Sequence, residues 1–212
     1  MKMIRKAREY DLPRIAEIYR RAFPYSIEYI FGKPPKDQAF IDVFRLLLDT
    51  YPDYFLVDEE EGKVTGYVVA PPDVSILVRR AIFRGYVFRW AWRWLIGRYG
   101  FGLRPVWVLL SDKWAILRSK GAAEESSDAR ILSIAVDPDY QGRGLGKKLT
   151  AAALDILRDS GVHKIMLEVR EWNEAAYHIY KKFGFREVGR FRDTGGVWIQ
   201  MIADLPKKAE AA

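Results

Sequence analysis

Gln141, Gly142, Arg143, Gly144, Leu145, Gly146 and Lys147 join an apolar run to a helical one, with glycine at every second position. Successive backbone N–H groups in such a turn converge on the start of the helix. The helix dipole favours an anion there, and glycine lets the backbone approach it. This is chemistry for a pyrophosphate, with Arg143 and Lys147 adding charge. Two phosphate-binding motifs fail on spacing. A dinucleotide fingerprint needs glycine where Lys147 stands. A Walker loop needs glycine at Gln141 and Ser or Thr at Lys148. On the glycines alone, an ordinary tight turn fits equally well.

Three other side chains can do chemistry. Glu168 interrupts a strand that is otherwise apolar at Ile165, Met166, Leu167 and Val169. A carboxylate there is costly without a partner or a job. Partial burial would raise its pKa toward that of a useful base, and the competing reading is a salt bridge to Arg170 or Lys147. Tyr180 shares an apolar helix with Ile179 and Phe183 and by itself reads as a core aromatic. Asn173 starts that helix and reads as its N-cap. The two histidines, His163 and His178, have no metal-ligand spacing. The chain has no cysteine, which excludes disulfides, thiolate metal sites and a cysteine nucleophile. No metal is expected.

The periodicity predicts the elements that hold these residues. A strand over 3–6 leads into a helix capped by Asp11, with Pro13 in its first turn. Phe23 and Pro24 end that helix, and a loop with Gly32 follows. A second helix covers 38–49. Strands 54–57 and 64–70 form an antiparallel hairpin. The segment 74–120 reads as one or two helices broken at 100–105. Strand 131–136 is nearly continuous in apolar residues and so is expected to be central and buried on both faces. After the glycine turn come a helix to Gly161, a strand over 164–170, a helix over 173–183 stopped by Gly184, and strands 185–191 and 197–202. Strand–helix–strand order implies right-handed crossovers between neighbouring parallel strands.

With these elements in order, Ile134, Ala135, Val136, Asp137, Pro138, Asp139 and Tyr140 followed by the glycine turn resemble motif A of the GNAT N-acetyltransferase superfamily. Leu167, Glu168, Val169, Arg170, Asn173, Ala176, Tyr180, Gly184 and Phe185 resemble its motif B, with spacing most similar to the ribosomal-protein-alanine N-acetyltransferases. The resemblance implies an α/β GNAT fold, a mixed central sheet flanked by helices, in a single domain over 1–205 with a tail over 206–212. It implies that acetyl-CoA is the co-substrate. Backbone groups of Ile134, Ala135 and Val136 would contact acetyl and pantetheine. The turn from Gln141 to Lys147 would hold pyrophosphate, and Asn173, Ala176 and Tyr180 would touch the cofactor. It further implies direct acyl transfer to a primary amine through a tetrahedral intermediate. Glu168 would be the base, Tyr180 the acid to the leaving thiolate, and the Val136 N–H the oxyanion donor. The acceptor stays open between a peptide N-terminus and a small-molecule amine, and a non-catalytic acyl-CoA-binding module is the rival from another class. The relatives' tyrosine pair after the sixth strand is missing; Arg190, Phe191, Arg192, Asp193, Thr194, Gly195 and Gly196 stand there instead.

The net charge of +7 is local. From Arg79 to Lys120 there are ten basic residues against Asp112 alone, a charge of +9 that leaves −2 for the rest. Five of the seven tryptophans, Trp90, Trp92, Trp94, Trp107 and Trp114, fall in the same stretch. A helical insertion over 74–128, between the third and fourth strands, is expected. It is either a cap with snorkelling arginines or a contact for an anionic partner, a membrane surface or nucleic acid. A homodimer is left open. Scarce Asn, Gln and Cys beside abundant Lys, Arg and Glu lean toward a thermophile. There is no apolar run of signal-peptide or membrane-spanning length, so a cytoplasmic protein is expected.

Overall fold

The computed structural model describes residues 2–108, 127 and 129–206. Trp114, Lys113, Arg118 and Lys120 of the basic segment, and 207–212 of the expected tail, lie outside the described residues. The chain builds two four-stranded sheets. The first contains β1 (Lys2–Lys6), β2 (Phe55–Glu60), β3 (Lys63–Val69) and β5 (Ser133–Val136), in the order β1-β2-β3-β5 and antiparallel throughout. The second contains β4 (Arg130–Ile131), β6 (Lys164–Arg170), β7 (Arg186–Asp193) and β8 (Gly196–Asp204), in the order β4-β6-β8-β7.

Among the described residues the helices include α1 (Leu12–Ala22), α2 (Pro24–Phe31), α3 (Asp37–Thr50), α4 (Ile76–Phe83), α5 (Tyr86–Leu95), α6 (Leu145–Asp159) and α7 (Glu174–Lys182), and residues 104–108 are helical too. Strand alternation divides the core between two helix layers. Phe55, Val57, Tyr67 and Val69 face α1 and α3, where Ile15, Ile18, Phe40 and Phe44 meet them. Leu56 and Val68 face the other way, toward Leu149, Ala153 and Leu157 of α6. Helices cover both faces of this antiparallel sheet, so β2 and β3 are apolar without clean alternation. The β2–β3 hairpin turns on Glu61 and Gly62, both at positive φ (53° and 80°), as a two-residue turn of this hand requires.

Several expectations change. α1 ends at Phe23 as expected, but a helix follows where a loop was expected: Pro24 sits in the first turn of α2, where its missing N–H costs nothing. Asp11 does not cap α1 through its side chain. Its buried carboxylate instead accepts the Arg8 N–H at 2.8 Å and pairs with Arg5 at 2.7 Å. The 131–136 run is not one central strand. It breaks at Leu132, with β4 joining the second sheet and β5 the first, and Ile134 and Val136 are only half-buried. Among the described residues only β4 and β6, joined through α6, are neighbouring parallel strands; β8 separates β6 from β7. The basic segment breaks first at Gly85, in the left-handed region, before the expected break near residue 100.

α4 and α5 lie between β3 and β4 in sequence and dock on α3. Arg93 pairs with the buried Asp42, which also accepts the Tyr99 hydroxyl at 2.7 Å and Gln38 at 2.9 Å. Burial alone would raise the Asp42 pKa, but the bonds from Arg93, Tyr99 and Gln38 outweigh it and hold the carboxyl below its ordinary value. Tyr86 bonds Asp49, and Arg80 donates to the Asp49 carbonyl at 3.0 Å. Arg93 is therefore structural, and Arg80 ties α4 to the end of α3 through one guanidinium nitrogen.

Candidate active site

The split between β4 and β5 creates the site. β5 pairs with β3 along one edge and, among the described residues, has no strand partner on the other. Asp137 N–H donates to the Thr65 carbonyl at 2.9 Å. Antiparallel alternation then turns Ala135 toward β3 and aims the N–H and C=O of Ile134 and Val136 at the open edge. Gln141 confirms that direction, because its amide reaches the Val136 carbonyl at 3.2 Å. An extended ligand laid along this edge meets backbone donors and acceptors that no strand among the described residues takes up.

The glycine turn lies at the end of that edge. Gly142 (φ 77°) and Gly144 (φ 76°) are left-handed, a conformation that strains any residue with a Cβ. Open space lies where their Cβ atoms would project, with nothing within 4 Å. Gly144 is the N-cap of α6, and the first bond of the ladder runs from Lys148 N–H to Gly144 O at 3.1 Å. The N–H groups of Leu145, Gly146 and Lys147 precede it and have no acceptor within the helix. This cradle fits an anion. Arg143 is turned aside, donating to the Asp139 carbonyl at 3.3 Å and lying over the Tyr140 ring, while Lys147 is exposed.

Asp137, which had no assigned role in the sequence reading, anchors the turn. It is fully buried and binds Arg14 and, at 2.6 Å, Arg21. Arg14 also donates to the Val64 carbonyl at 3.1 Å. The signal was present as two arginines seven residues apart, hence on one face of α1.

Tyr180 and Glu168 occupy opposite faces of β6. Tyr180 belongs to the cluster containing Leu167, Val169 and the α6 side chains, and packs on Phe185 at 5.7 Å. It is buried, and burial pushes its pKa up to about 12. Glu168 shows the opposite of the expected burial: it is exposed, and its partner is neither Arg170 nor Lys147. Arg130 at 3.2 Å and Gln200 at 3.3 Å both bind its Oε1. The strand's alternation puts residue 168 on the face away from the core, beside its cross-strand partner Gln200. Asn173 caps α7 by accepting the Ala176 N–H at 3.2 Å.

Farther along that face, Arg170 and Asp193 form a buried bidentate pair at 2.8 and 3.0 Å. Arg170 stacks on Trp198, its guanidinium carbon 3.9 Å from the ring centroid. Trp198 and the Gly195 N–H also donate to Asp193, at 2.7 and 2.8 Å. This knot fixes the β7–β8 turn. Tyr25 of α2 closes over it, donating to the Gly195 carbonyl at 3.1 Å. Among the described residues, no group of three or more His, Asp or Glu could hold a metal ion.

Residues 12–185 match the Acetyltransferase (GNAT) family. The [ribosomal protein bS18]-alanine N-acetyltransferase of Salmonella typhimurium is 34% identical over 104 residues, 49% of this chain and 69% of that protein. Mycothiol acetyltransferase of Rhodococcus jostii is 40% identical over 77 residues, 36% of this chain; the match spans only 25% of that longer protein. Among solved structures, yncA from Salmonella typhimurium with its cofactor acetyl-CoA superimposes with a TM-score of 0.58. That match is 20% identical and covers 100% of this chain and 98% of the other.

Proposed function

The chain belongs to the GNAT acetyltransferase family and uses acetyl-CoA, and from that premise we propose that it acetylates the α-amino group of a polypeptide. The observation that supports this reading is the edge of β5 that no strand among the described residues takes up, with Tyr180 and Glu168 lying against the two faces of β6. Acetyl-CoA supplies a thioester that a free amine can attack. The turn from Gln141 to Lys147 holds its pyrophosphate, and Ile134 and Val136 bond the chain that leads to the acetyl group. Asn173 and Ala176, at the start of α7, border the same ligand. The Val136 N–H stabilises the charge that develops on the carbonyl oxygen. Glu168 takes a proton from the incoming ammonium through Oε2, because Oε1 is already engaged by Arg130 and Gln200. Tyr180 gives its proton to the departing sulfur. No covalent enzyme intermediate is needed.

Thiol release from acetyl-CoA tests the acceptor. Turnover is expected with a short peptide carrying a free N-terminal alanine and none with the same peptide already acetylated. Turnover confined to small amines would replace this reading with the one suggested by the likeness to mycothiol acetyltransferase.

Glu168→Gln is nearly isosteric, keeps the bonds to its neighbours and cannot accept the proton. Its rate is expected to fall most at low pH, where more of the amine arrives protonated. A pH–rate profile that superimposes on wild type would make Glu168 purely structural.

A further inference from the structure

We propose that the outer face of α4, α5 and the helical residues 104–107 docks in the plane of an anionic phospholipid bilayer. From 76 to 108 the sequence contains no Asp, Glu, Asn, Gln, Ser, Thr, His or Lys. Its only charged residue is arginine, and its other side chains are aliphatic or aromatic, apart from glycine and one proline. The inner side is spent on α3 through Arg80, Tyr86 and Arg93. The outer side is exposed: eleven of the seventeen exposed large apolar side chains among the described residues lie between 78 and 107. Phe83 is 83% exposed, Phe88 73% and Trp107 70%. Monomers rarely leave so many apolar side chains together without a use.

The polar part of the face suits phosphate. Arg79, Arg80 and Arg84 line a recess of about 230 Å³ with Ile76 and Phe83. Arg79 and Arg84 are exposed there beside the exposed Phe83 ring, with Arg80 held to the Asp49 carbonyl, a combination a headgroup phosphate above an apolar layer would use. α5 also walls an apolar recess of about 390 Å³, whose lining residues Val43, Leu103 and Val106 are themselves exposed.

Three occupants compete, and the chemistry separates them. Nucleic acid would use the arginines and stack on the aromatics, but gains nothing from exposed Val78, Ile82, Val87, Leu95 and Ile96. A protein interface needs a hydrogen bond for every 100–200 Å² or so, and this face offers donors from arginine and indole alone. A bilayer requires neither base stacking nor a polar rim. It buries aliphatic and aromatic groups together and places arginine at the phosphates. No helix among the described residues is long and apolar enough to cross a membrane, so the contact lies in the interface plane.

Flotation of the full chain with vesicles tests this. Wild type should float with phosphatidylcholine vesicles containing phosphatidylglycerol and stay behind with phosphatidylcholine alone. Added salt should weaken binding. Arg79→Gln with Arg84→Gln should weaken it by roughly 25-fold, about fivefold for each arginine. Phe83→Ser with Phe88→Ser should weaken it at least tenfold or so, because the lost area no longer enters the acyl region. All four side chains are exposed, and unchanged melting curves will show that the variants fold. Brominated acyl chains should quench the indole emission of bound wild type. Absence of flotation at low salt overturns the proposal, as does quench-free binding. Full binding of the double-Ser variant also overturns it and leaves a general polyanion patch, for which RNA or an acidic protein is the ligand.

Discussion

Tyr180→Phe is expected to lower kcat roughly 100-fold, the usual scale for losing a general acid, while acetyl-CoA affinity changes by less than about twofold. The ring stays, so the contacts with Phe185, Leu167 and Val169 survive. The hydroxyl makes no hydrogen bond among the described residues and is not among the buried unpartnered atoms. Removing it leaves no orphaned partner, and melting should hardly move. The raised pKa bears on the role in two ways. Burial keeps the proton on Tyr180 up to about 12, so the acid form is fully present wherever the enzyme works. A thiolate leaving into the same desolvated space is penalised by the same burial, so both values rise and the mismatch with an ordinary thiol near 8.5 narrows. Wild-type kcat in the variant, measured at saturating acetyl-CoA and acceptor, would remove Tyr180 from the chemistry.

What could be read from the sequence depended on how local the constraint was. The glycine turn was legible because two left-handed positions and a helix start follow from residue type alone. The helices over 37–50 and 145–159 followed from a strong 3.6-residue apolar period. The splay of β4 from β5 was not legible. Both halves are apolar, and only the choice of partner strand, β6 or β3, separates them. Glu168 was misread for a related reason. Its apolar neighbours suggested burial, yet Met166 and Glu168 share one face and only Met166 is covered. Arg93 looked like one more surface cation until Asp42, 51 positions earlier, was brought against it. Long-range ion pairs leave no spacing in a sequence, so the Asp137 and Asp193 knots emerged only with the fold.

Asp193→Ala is expected to cost about 3–5 kcal/mol of stability, because it strands a buried guanidinium. Arg170 has a 7% exposed side chain, and its Nε already has no hydrogen-bond partner among the described residues. Removing Asp193 takes away both bonds to its terminal nitrogens and leaves Trp198 Nε1 without its acceptor. For a chain of this size the melting temperature should fall on the order of 10 °C. The pH dependence has a definite sign. Burial alone would raise the Asp193 pKa, but the bonds from Arg170 and Trp198 outweigh it and hold the carboxyl below its ordinary value. A depressed folded-state pKa means that the stabilisation is complete above the unfolded value of about 3.9 and is lost as pH falls through the folded one. The gap between wild type and Asp193→Ala should therefore be constant at neutral pH and shrink only in acid. A second variant separates charge stranding from loss of packing. Arg170→Met with Asp193→Leu removes both charges at similar volume and should recover most of the stability. The knot also holds the β7–β8 turn under Tyr25. If Asp193→Ala melts with wild type at neutral pH, the pair does not hold the turn, and another contact must position it.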